Sequence, residues 1–255
     1  RNSSTSKPTE TSYGLRSAQL QTIFDNFYAS TISSYSHPIQ MYFAYRFLAL
    51  DSLEEKRVGT MIIMKNLDEL TVDFVDDFER VFDSNINEWT TCDAFALRVI
   101  GPLIKKSDEF AHRIITWKDS NKVWRMRAAA VAFVVLAKVG AMKEQCFDIC
   151  SACIKSSERF VQLGVGCLLR DLSLMSPDDV VAFITQHYRF FSREGLRYSI
   201  DKLPTPTRKQ ILALGKKKSG KQPAVVADTK AKPVTPPVPQ HPMPVATPGI
   251  PVAAI

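Results

Sequence analysis

The stretch ERFVQLGVGCLLRDLSLMSP, from Glu158 to Pro177, carries a clear helical signal. Its hydrophobic residues recur every three or four positions, at Val161, Val165, Leu168, Leu172 and Met175. This is the period of an α-helix with one buried face, and Ser176-Pro177 is expected to end it. The stretch therefore predicts an amphipathic helix that packs against other helices.

The same pattern recurs along most of the chain, and the alternation typical of strands is nearly absent. Further helices are predicted over Pro38–Leu50, Leu53–Lys65, Val72–Phe82, Thr91–Ile104, Lys143–Ile154, Pro177–Phe191 and Arg193–Lys202. Another is predicted to begin after a cap at Ser120 and to end at Gly140. Short helices with short turns indicate an all-α protein of paired helices stacked as a solenoid, with a compact helical bundle as the alternative.

The C-terminal end differs in composition from the rest of the 255 residues. Residues 205–255 hold eight Lys or Arg against Asp228 alone, which accounts for the whole net charge of +7. Nine of the fifteen prolines follow Gly215. We therefore predict disorder over 216–255 and over 1–15, and one folded domain over 16–215. The lysine cluster at 216–218 and 221 fits a nuclear-import signal, a phosphate-binding arm or solubilising charge.

Charges within the folded part are unevenly distributed. Leu67–Glu88 carries eight acids against Arg80, whereas Arg98–Leu136 carries eight bases against three acids. This segregation predicts an acidic side and a basic side.

The cysteines and histidines contain one candidate metal or cofactor motif. CFDICSAC has the CxxxCxxC spacing of iron–sulfur enzymes that cleave S-adenosylmethionine. However, Cys146, Cys150 and Cys153 fall on one face of a predicted helix, so we expect small buried hydrophobic residues. The histidines lack ligand spacing, and no phosphate-loop or dinucleotide motif occurs. We expect no metal and no cofactor.

The longest apolar run, Ala128–Ala137, is far shorter than the roughly 20 residues that a membrane span needs. No signal-like stretch opens the chain. We expect no membrane association and a reducing compartment, cytoplasmic or nuclear, the latter if the lysine cluster directs import.

Four stretches, in order, resemble the AlkD-like DNA alkylation-repair glycosylases. They are EWTTCDAFALRVI, WKDSNKVWRMRAAAVAF, ERFVQLGVGCLLRDLS and SREGLRYSIDKLP, and the resemblance covers roughly residues 30–212. It implies a solenoid of HEAT-like repeats whose concave side grips duplex DNA containing alkylated bases. It further implies a monofunctional, monomeric glycosylase that excises N3- or N7-alkylated purines without flipping the base.

The resemblance also implies roles for individual residues. Trp89 and Asp93 match a Trp-x-x-x-Asp motif and are the expected catalytic residues: Asp93 faces the charge that forms on the sugar, and Trp89 packs beside it. Trp124 and Arg127 match a W-x-x-R motif and are expected to contact DNA, with Arg127 on a phosphate. Cys167 stands where the family has a second tryptophan, so this DNA-facing ring is missing.

Each assignment has a structural alternative. Asp93 would also stabilise a helix N-terminus, and Trp89 would also serve packing. Arg127 and Arg170 would pair with acids of neighbouring repeats, and Gly164 and Gly166 would permit close helix packing. On these alternatives the chain is a non-catalytic helical-repeat protein that binds DNA or a protein partner.

Overall fold

The computed structural model describes residues 11–214, within which the chain forms fourteen α-helices and no β-strand. They are α1 (Ser17–Phe27), α2 (His37–Leu48), α3 (Leu53–Met64), α4 (Phe74–Ser84), α5 (Trp89–Phe95), α6 (Gly101–Lys106), α7 (Asp108–Ile115), α8 (Val123–Ala132), α9 (Val134–Ala137), α10 (Lys143–Cys153), α11 (Arg159–Leu172), α12 (Pro177–His187), α13 (Arg193–Ser199) and α14 (Thr205–Ala213). The all-α prediction is confirmed. The predicted tail over 216–255 lies outside the described residues.

Five helices form a central row in which each helix packs against the next: α3, α5, α8, α11 and α13. Other helices lie between them in sequence and flank this row: α4, α6, α7, α9, α10 and α12. Of these, α4 and α10 pack against α8, and α12 packs against α11. A row of packed helices flanked by the helices that connect them is the arrangement of a helical-repeat solenoid, as the sequence predicts.

Helix α11 packs between α8 and α13 in this row. Val161, Val165, Leu168 and Leu172 are fully buried, but Met175 lies beyond the helix and is 54% exposed, so its assignment to the buried stripe is wrong.

The two glycines of α11 serve close helix packing. A Cβ atom on Gly164 would lie 3.4 Å from Arg127 Cα in α8. A Cβ atom on Gly166 would lie 3.1 Å from Tyr198 Cδ1 and from the Gly195 carbonyl in α13. Their lack of side chains lets α8 and α13 approach both sides of α11.

Helix α8 begins later than predicted. Ser120 does not cap it: its hydroxyl donates to the Trp117 carbonyl at 2.8 Å and closes the preceding turn. Asn121 then adopts a left-handed conformation with φ 55°, which a helix cannot continue, so α8 starts at Val123. The helical path is interrupted again after Ala132 and ends before Gly140, where φ is 69°.

The predicted helix over Thr91–Ile104 is one continuous helical path with a π-helical segment, Ala96–Ile100, inside it. Pro102 has no N–H to donate to the preceding turn, and the wider hydrogen-bond spacing just before it accommodates this loss. The path therefore runs from Trp89 through α5 to the end of α6.

The uneven charges do not form two opposed sides. Arg125 of α8 bonds to Glu79 and Asp83 of α4, each at 2.9 Å. Arg113 of α7 likewise pairs with Asp76 of α4. The acidic and basic segments lie against each other and neutralise each other, so the predicted acidic and basic sides are wrong for these residues.

Residues 12–15, near the end of the segment predicted to be disordered, contact Glu54 in α3. Ser12 Oγ donates to Glu54 Oε1 at 2.8 Å, and the Tyr13 N–H donates to Oε2 at 3.1 Å. The Leu15 N–H donates to Oε1 at 3.3 Å. Burial would raise the pKa of Glu54, but hydrogen bonds from Ser12, from the Tyr13 N–H, from its own backbone N–H and from Ser52 lower it to about 2. The segment is thus tied to the start of α3.

The cysteine prediction is confirmed, since Cys146, Cys150 and Cys153 are fully buried on one face of α10. Burial raises the pKa of the Cys146 and Cys153 thiols to about 12. Between residues 11 and 214, His, Cys, Asp and Glu side chains form no group suited to a metal ion. No helix in that part of the chain has the length and apolarity of a membrane span.

Candidate active site

The central row carries an open cleft of about 600 Å³. Its lining residues are Trp89, Asp93, Arg127, Arg159, Phe160, Leu163, Glu194, Arg197, Tyr198 and Asp201. They come from α5, α8, α11 and α13, except Asp201, which follows α13. The structure therefore brings Trp89, Asp93 and Arg127 together on one surface, with aromatic rings and charges of both signs.

Trp89 and Asp93 lie one helical turn apart on the same face of α5, which begins at Trp89. Glu88 precedes it, and its carboxylate accepts hydrogen bonds from the backbone N–H groups of Thr90, at 2.7 Å, and Thr91. This cap fixes the first turn, and residues four positions apart are neighbours on a helix face. Trp89 is 51% exposed, so its ring serves the cleft surface more than the core.

The cap also decides between two interpretations of Asp93. An acid in the first turn would stabilise the helix end, but Glu88 has this role and the first turn of α5 contains no acid. Asp93 lies in the second turn and bonds to α8 instead. The interpretation of Asp93 as a helix-end residue is therefore wrong.

Asp93 forms a bidentate ion pair with Arg127. Arg127 Nε donates to Asp93 Oδ1 at 2.8 Å, and Nη2 donates to Oδ2 at 2.7 Å. Arg127 Nη1 donates to the Phe160 carbonyl at 2.9 Å. The Arg127 side chain is 7% exposed and that of Asp93 is 24% exposed. The pair joins α5, α8 and α11 and fixes the plane of the carboxylate, while part of Asp93 stays open to the cleft.

These bonds give Arg127 a structural role beside the expected phosphate contact. Burial would lower the pKa of Arg127, but the bonds and charge of Asp93 raise it. Three of the five N–H donors of Arg127 are used in these bonds, and contact of Arg127 with a phosphate stays a prediction. The alternative, in which Arg127 pairs with an acid of a neighbouring repeat, is the arrangement observed.

A second pair lies at the rim. Arg159 Nε donates to Glu194 Oε2 at 2.8 Å, and Nη2 donates to Oε1 at 2.6 Å. The Arg159 side chain is 61% exposed and that of Glu194 is 51% exposed. The bond from Arg159 lowers the pKa of Glu194. Arg197, one turn along α13, makes no ion pair with any residue between 11 and 214.

Cys167 lies behind the cleft wall and does not line it. Its thiol accepts a long hydrogen bond, 3.9 Å, from Arg170 Nη2, and it adjoins Tyr198. Burial raises the pKa of the Cys167 thiol. Arg170 pairs with Asp171 of its own helix, at 2.7 Å, and not with an acid of a neighbouring repeat. Tyr198 is the residue of this group that reaches the cleft.

Trp124 lies outside the cleft, in the adjacent depression lined by Asn87 and Lys122. Its ring packs against Phe160, with centroids 5.1 Å apart, and Phe160 borders both surfaces. Contacts of Trp124 and Cys167 with DNA stay predictions.

Motif reasoning missed part of the cleft. The residues it missed are Arg159, Phe160, Leu163, Glu194, Arg197, Tyr198 and Asp201. A signal was present for α13, because Glu194, Arg197, Tyr198 and Asp201 recur at the spacing of one helix face. Arg159 and Glu194 pair although they lie 35 positions apart in sequence, which no local pattern reports.

Three comparisons bear on this cleft. The chain matches the model of a family described as DNA alkylation repair enzyme over residues 2–203. It is similar to a solved structure described as a predicted DNA alkylation repair enzyme from Enterococcus faecalis. The TM-score is 0.67 at 14% identity, over 75% of this chain and 88% of that chain, which shows a shared fold. A search of curated proteins found no match.

The stacked helix pairs define a helical-repeat protein, and its cleft combines a paired carboxylate with an exposed ring. The family match spans most of the sequence, so the chain belongs to the DNA alkylation repair enzyme family. The resemblance drawn from the four sequence motifs is thereby confirmed.

Proposed function

We propose that the cleft is the active site of a monofunctional DNA glycosylase. It would hydrolyse the N-glycosidic bond of cationic N3- or N7-alkylated purines in duplex DNA. The observation that carries this proposal is Asp93: a carboxylate oriented by two hydrogen bonds, partly open to a cleft, one helical turn from a half-exposed tryptophan.

Cleavage of this N-glycosidic bond requires a negative charge near the sugar and does not require a general acid. An alkylated purine of this kind is already cationic and leaves as a neutral base, so nothing must protonate it. The difficult charge is the oxocarbenium that develops on the sugar. A carboxylate about 4 Å away stabilises it by roughly 4 kcal/mol at an effective dielectric constant of about 20.

Arg127 moderates this effect. Its positive charge lies behind the carboxylate, and at about 8 Å from the sugar it opposes by roughly 2 kcal/mol. The pair then contributes about 2 kcal/mol, or roughly thirtyfold in rate. In exchange, Arg127 holds the carboxylate in one orientation before the substrate arrives, which is the preorganisation that electrostatic catalysis needs.

The same carboxylate can position the attacking water. Each carboxylate oxygen has two acceptor sites, and Arg127 occupies one on each oxygen of Asp93. The remaining sites can accept hydrogen bonds from a water on the cleft side. Asp93 would thus stabilise the sugar cation and orient the nucleophile as general base.

In this proposal, residues other than Arg127 bind the DNA duplex. Arg197 is exposed and unpaired among the described residues, and Arg159 is exposed beside it, so both suit DNA phosphates. The ring of Trp89 would pack against the sugar and the cationic base. Because the cleft is open and its rim exposed, we propose that the base is cleaved without being flipped into a pocket.

A second candidate is a non-catalytic repeat protein that binds DNA or a protein partner. The observation in its favour is that both oxygens of Asp93 are bonded to Arg127, as in a purely structural pair. The half-exposed ring of Trp89 favours the enzyme, because a structural pair does not need it.

The test is the product formed from a duplex with one 7-methylguanine. The purified protein should release free 7-methylguanine, identified by mass, and leave a strand that breaks only after alkali. The matching unmodified duplex is the control. Restored guanine without free base would indicate another repair reaction, and binding without product would favour the second candidate.

A further inference from the structure

Tyr198 is a residue of the cleft that the motifs leave without a role. It lies on α13 and lines the same cleft as Trp89, which lies on α5. Helices α8 and α11 lie between these two in the central row, so the rings belong to opposite ends of the lining. Tyr198 adjoins Cys167, the position where the resemblance leaves a ring missing.

The Tyr198 ring is held in place from two directions. Arg170 Nη1 donates to the Tyr198 hydroxyl at 2.8 Å, and Arg170 Cζ lies 4.7 Å from the ring centroid. On the backbone side, Gly166 lets the ring approach so closely that a Cβ atom there would lie 3.1 Å from Tyr198 Cδ1. A ring restrained in this way loses little freedom when it contacts a ligand.

The charge of Arg170 does not prevent a cation from approaching. Arg170 Nη2 donates to Asp171 Oδ2 at 2.7 Å, so the guanidinium is neutralised within its own helix. Aromatic faces attract cations, and the alkylated purine of the proposed reaction is one.

We propose that Tyr198 is the second aromatic wall of the cleft and contacts the cationic purine or its sugar at the end away from Trp89. This inference rests on the proposed glycosylase function. The small Cys167 side chain leaves room for the ring: a tryptophan at 167 would meet Tyr198 and Arg170. The ring that a larger residue at 167 would supply comes instead from α13.

The test compares Tyr198→Ala and Tyr198→Phe in single-turnover excision of 7-methylguanine. Tyr198→Ala should slow excision about tenfold, whereas Tyr198→Phe, which keeps the ring, should stay within about twofold of wild type.

Tyr28 offers a matched control outside the cleft. Its hydroxyl donates to Gln40 Oε1 at 2.8 Å, and Lys65 Nζ lies 5.6 Å from its ring centroid. Tyr28→Ala should lower the melting temperature to a similar extent without slowing excision. Wild-type rates in Tyr198→Ala, or equal slowing in Tyr28→Ala, would overturn the inference.

A ring exchange makes a second test. Cys167→Trp alone should lower the melting temperature by crowding Tyr198 and Arg170. In Cys167→Trp/Tyr198→Ala the new ring has space, and excision should be faster than in Tyr198→Ala. A double variant no faster than Tyr198→Ala would contradict the role of this wall.

The two proposals fail in different ways. If the wild type releases no base, the glycosylase function falls, and the inference falls with it. If the wild type releases base, Asp93→Asn does not and Tyr198→Ala matches the wild type, only the role of Tyr198 is wrong.

Discussion

The cleft contains two arginine–carboxylate pairs with the same geometry and different surroundings. Asp93–Arg127 and Glu194–Arg159 each have two nearly parallel hydrogen bonds between 2.6 and 2.8 Å. The side chains of the first pair are 24% and 7% exposed, and those of the second are 51% and 61% exposed. Geometry alone therefore does not distinguish them.

The difference in burial gives the two pairs different roles. Breaking a buried pair leaves a charge without its partner in a poor solvent for it, so the arrangement persists and fixes the carboxylate. An exposed pair is screened by water and salt and contributes little. A DNA phosphate can replace Glu194 as the partner of Arg159 at small cost. We infer that one pair positions a reactive group and the other is exchanged on binding.

The largest expected effect on stability comes from breaking the buried pair. Arg127→Met leaves Asp93 without its partner and should destabilise the fold by about 3 kcal/mol, measured by urea unfolding. Arg159→Met is the matched control and should leave the unfolding midpoint unchanged. Equal midpoint shifts in the two variants would remove the distinction between the pairs.

A smaller effect concerns the ring beside the buried pair. Trp89→Ala should slow single-turnover excision roughly tenfold, because a contact of about 0.5–2 kcal/mol with the cationic centre is lost. Tyr42→Ala, a 60% exposed ring on α2, is the control and should leave the rate unchanged. Wild-type excision by Trp89→Ala would show that the ring does not meet the substrate.

Breaking the exposed pair should strengthen DNA binding. Glu194→Gln removes the carboxylate that competes with a phosphate for Arg159, so DNA should bind several-fold more tightly. The salt slope should stay nearly unchanged, because Arg159 contacts one phosphate in both proteins. The control is Asp179→Asn, which breaks another exposed pair, Lys143–Asp179 at 2.9 Å. Unchanged affinity of Glu194→Gln in a salt titration would contradict the exchange.

The smallest expected effect is that of pH on this exchange. Because Arg159 lowers the pKa of Glu194 below its ordinary 4.5, the pair contributes fully above about pH 4.5 and is lost as the pH falls through the lowered value. The affinity ratio of Glu194→Gln to wild type should therefore stay constant from about pH 5 to about pH 9. A ratio that changes within that range would place the titrating group elsewhere.

The features that could be predicted from the sequence depend on residues a few positions apart. The stripe of α11 follows from its period, and the grouping of Trp89 with Asp93 from their spacing of one helical turn. The acid that caps α5 was not predicted, because Glu88 and Asp93 both lie near the helix start in sequence, and only the backbone geometry separates them.

The features that could not be predicted depend on distant partners. Asp93 and Arg127 are separated by 34 positions, and their bonds exist only because α5 and α8 are neighbours. Tyr198 reaches the cleft because Gly166 lets α13 approach α11. Nor could the sequence tell a buried pair from an exposed one, since each joins an arginine to a carboxylate side chain.

The most direct test of the account is the excision rate of Asp93→Asn at saturating protein, with DNA affinity measured on the same preparation. Asparagine keeps the shape but removes the charge, so roughly 4 kcal/mol of stabilisation is lost. The rate should fall by about two to three orders of magnitude while affinity stays nearly constant, at a temperature where the melt shows the variant folded. Equal rates in Asp93→Asn and wild type would contradict the account and leave Asp93–Arg127 as a structural pair alone.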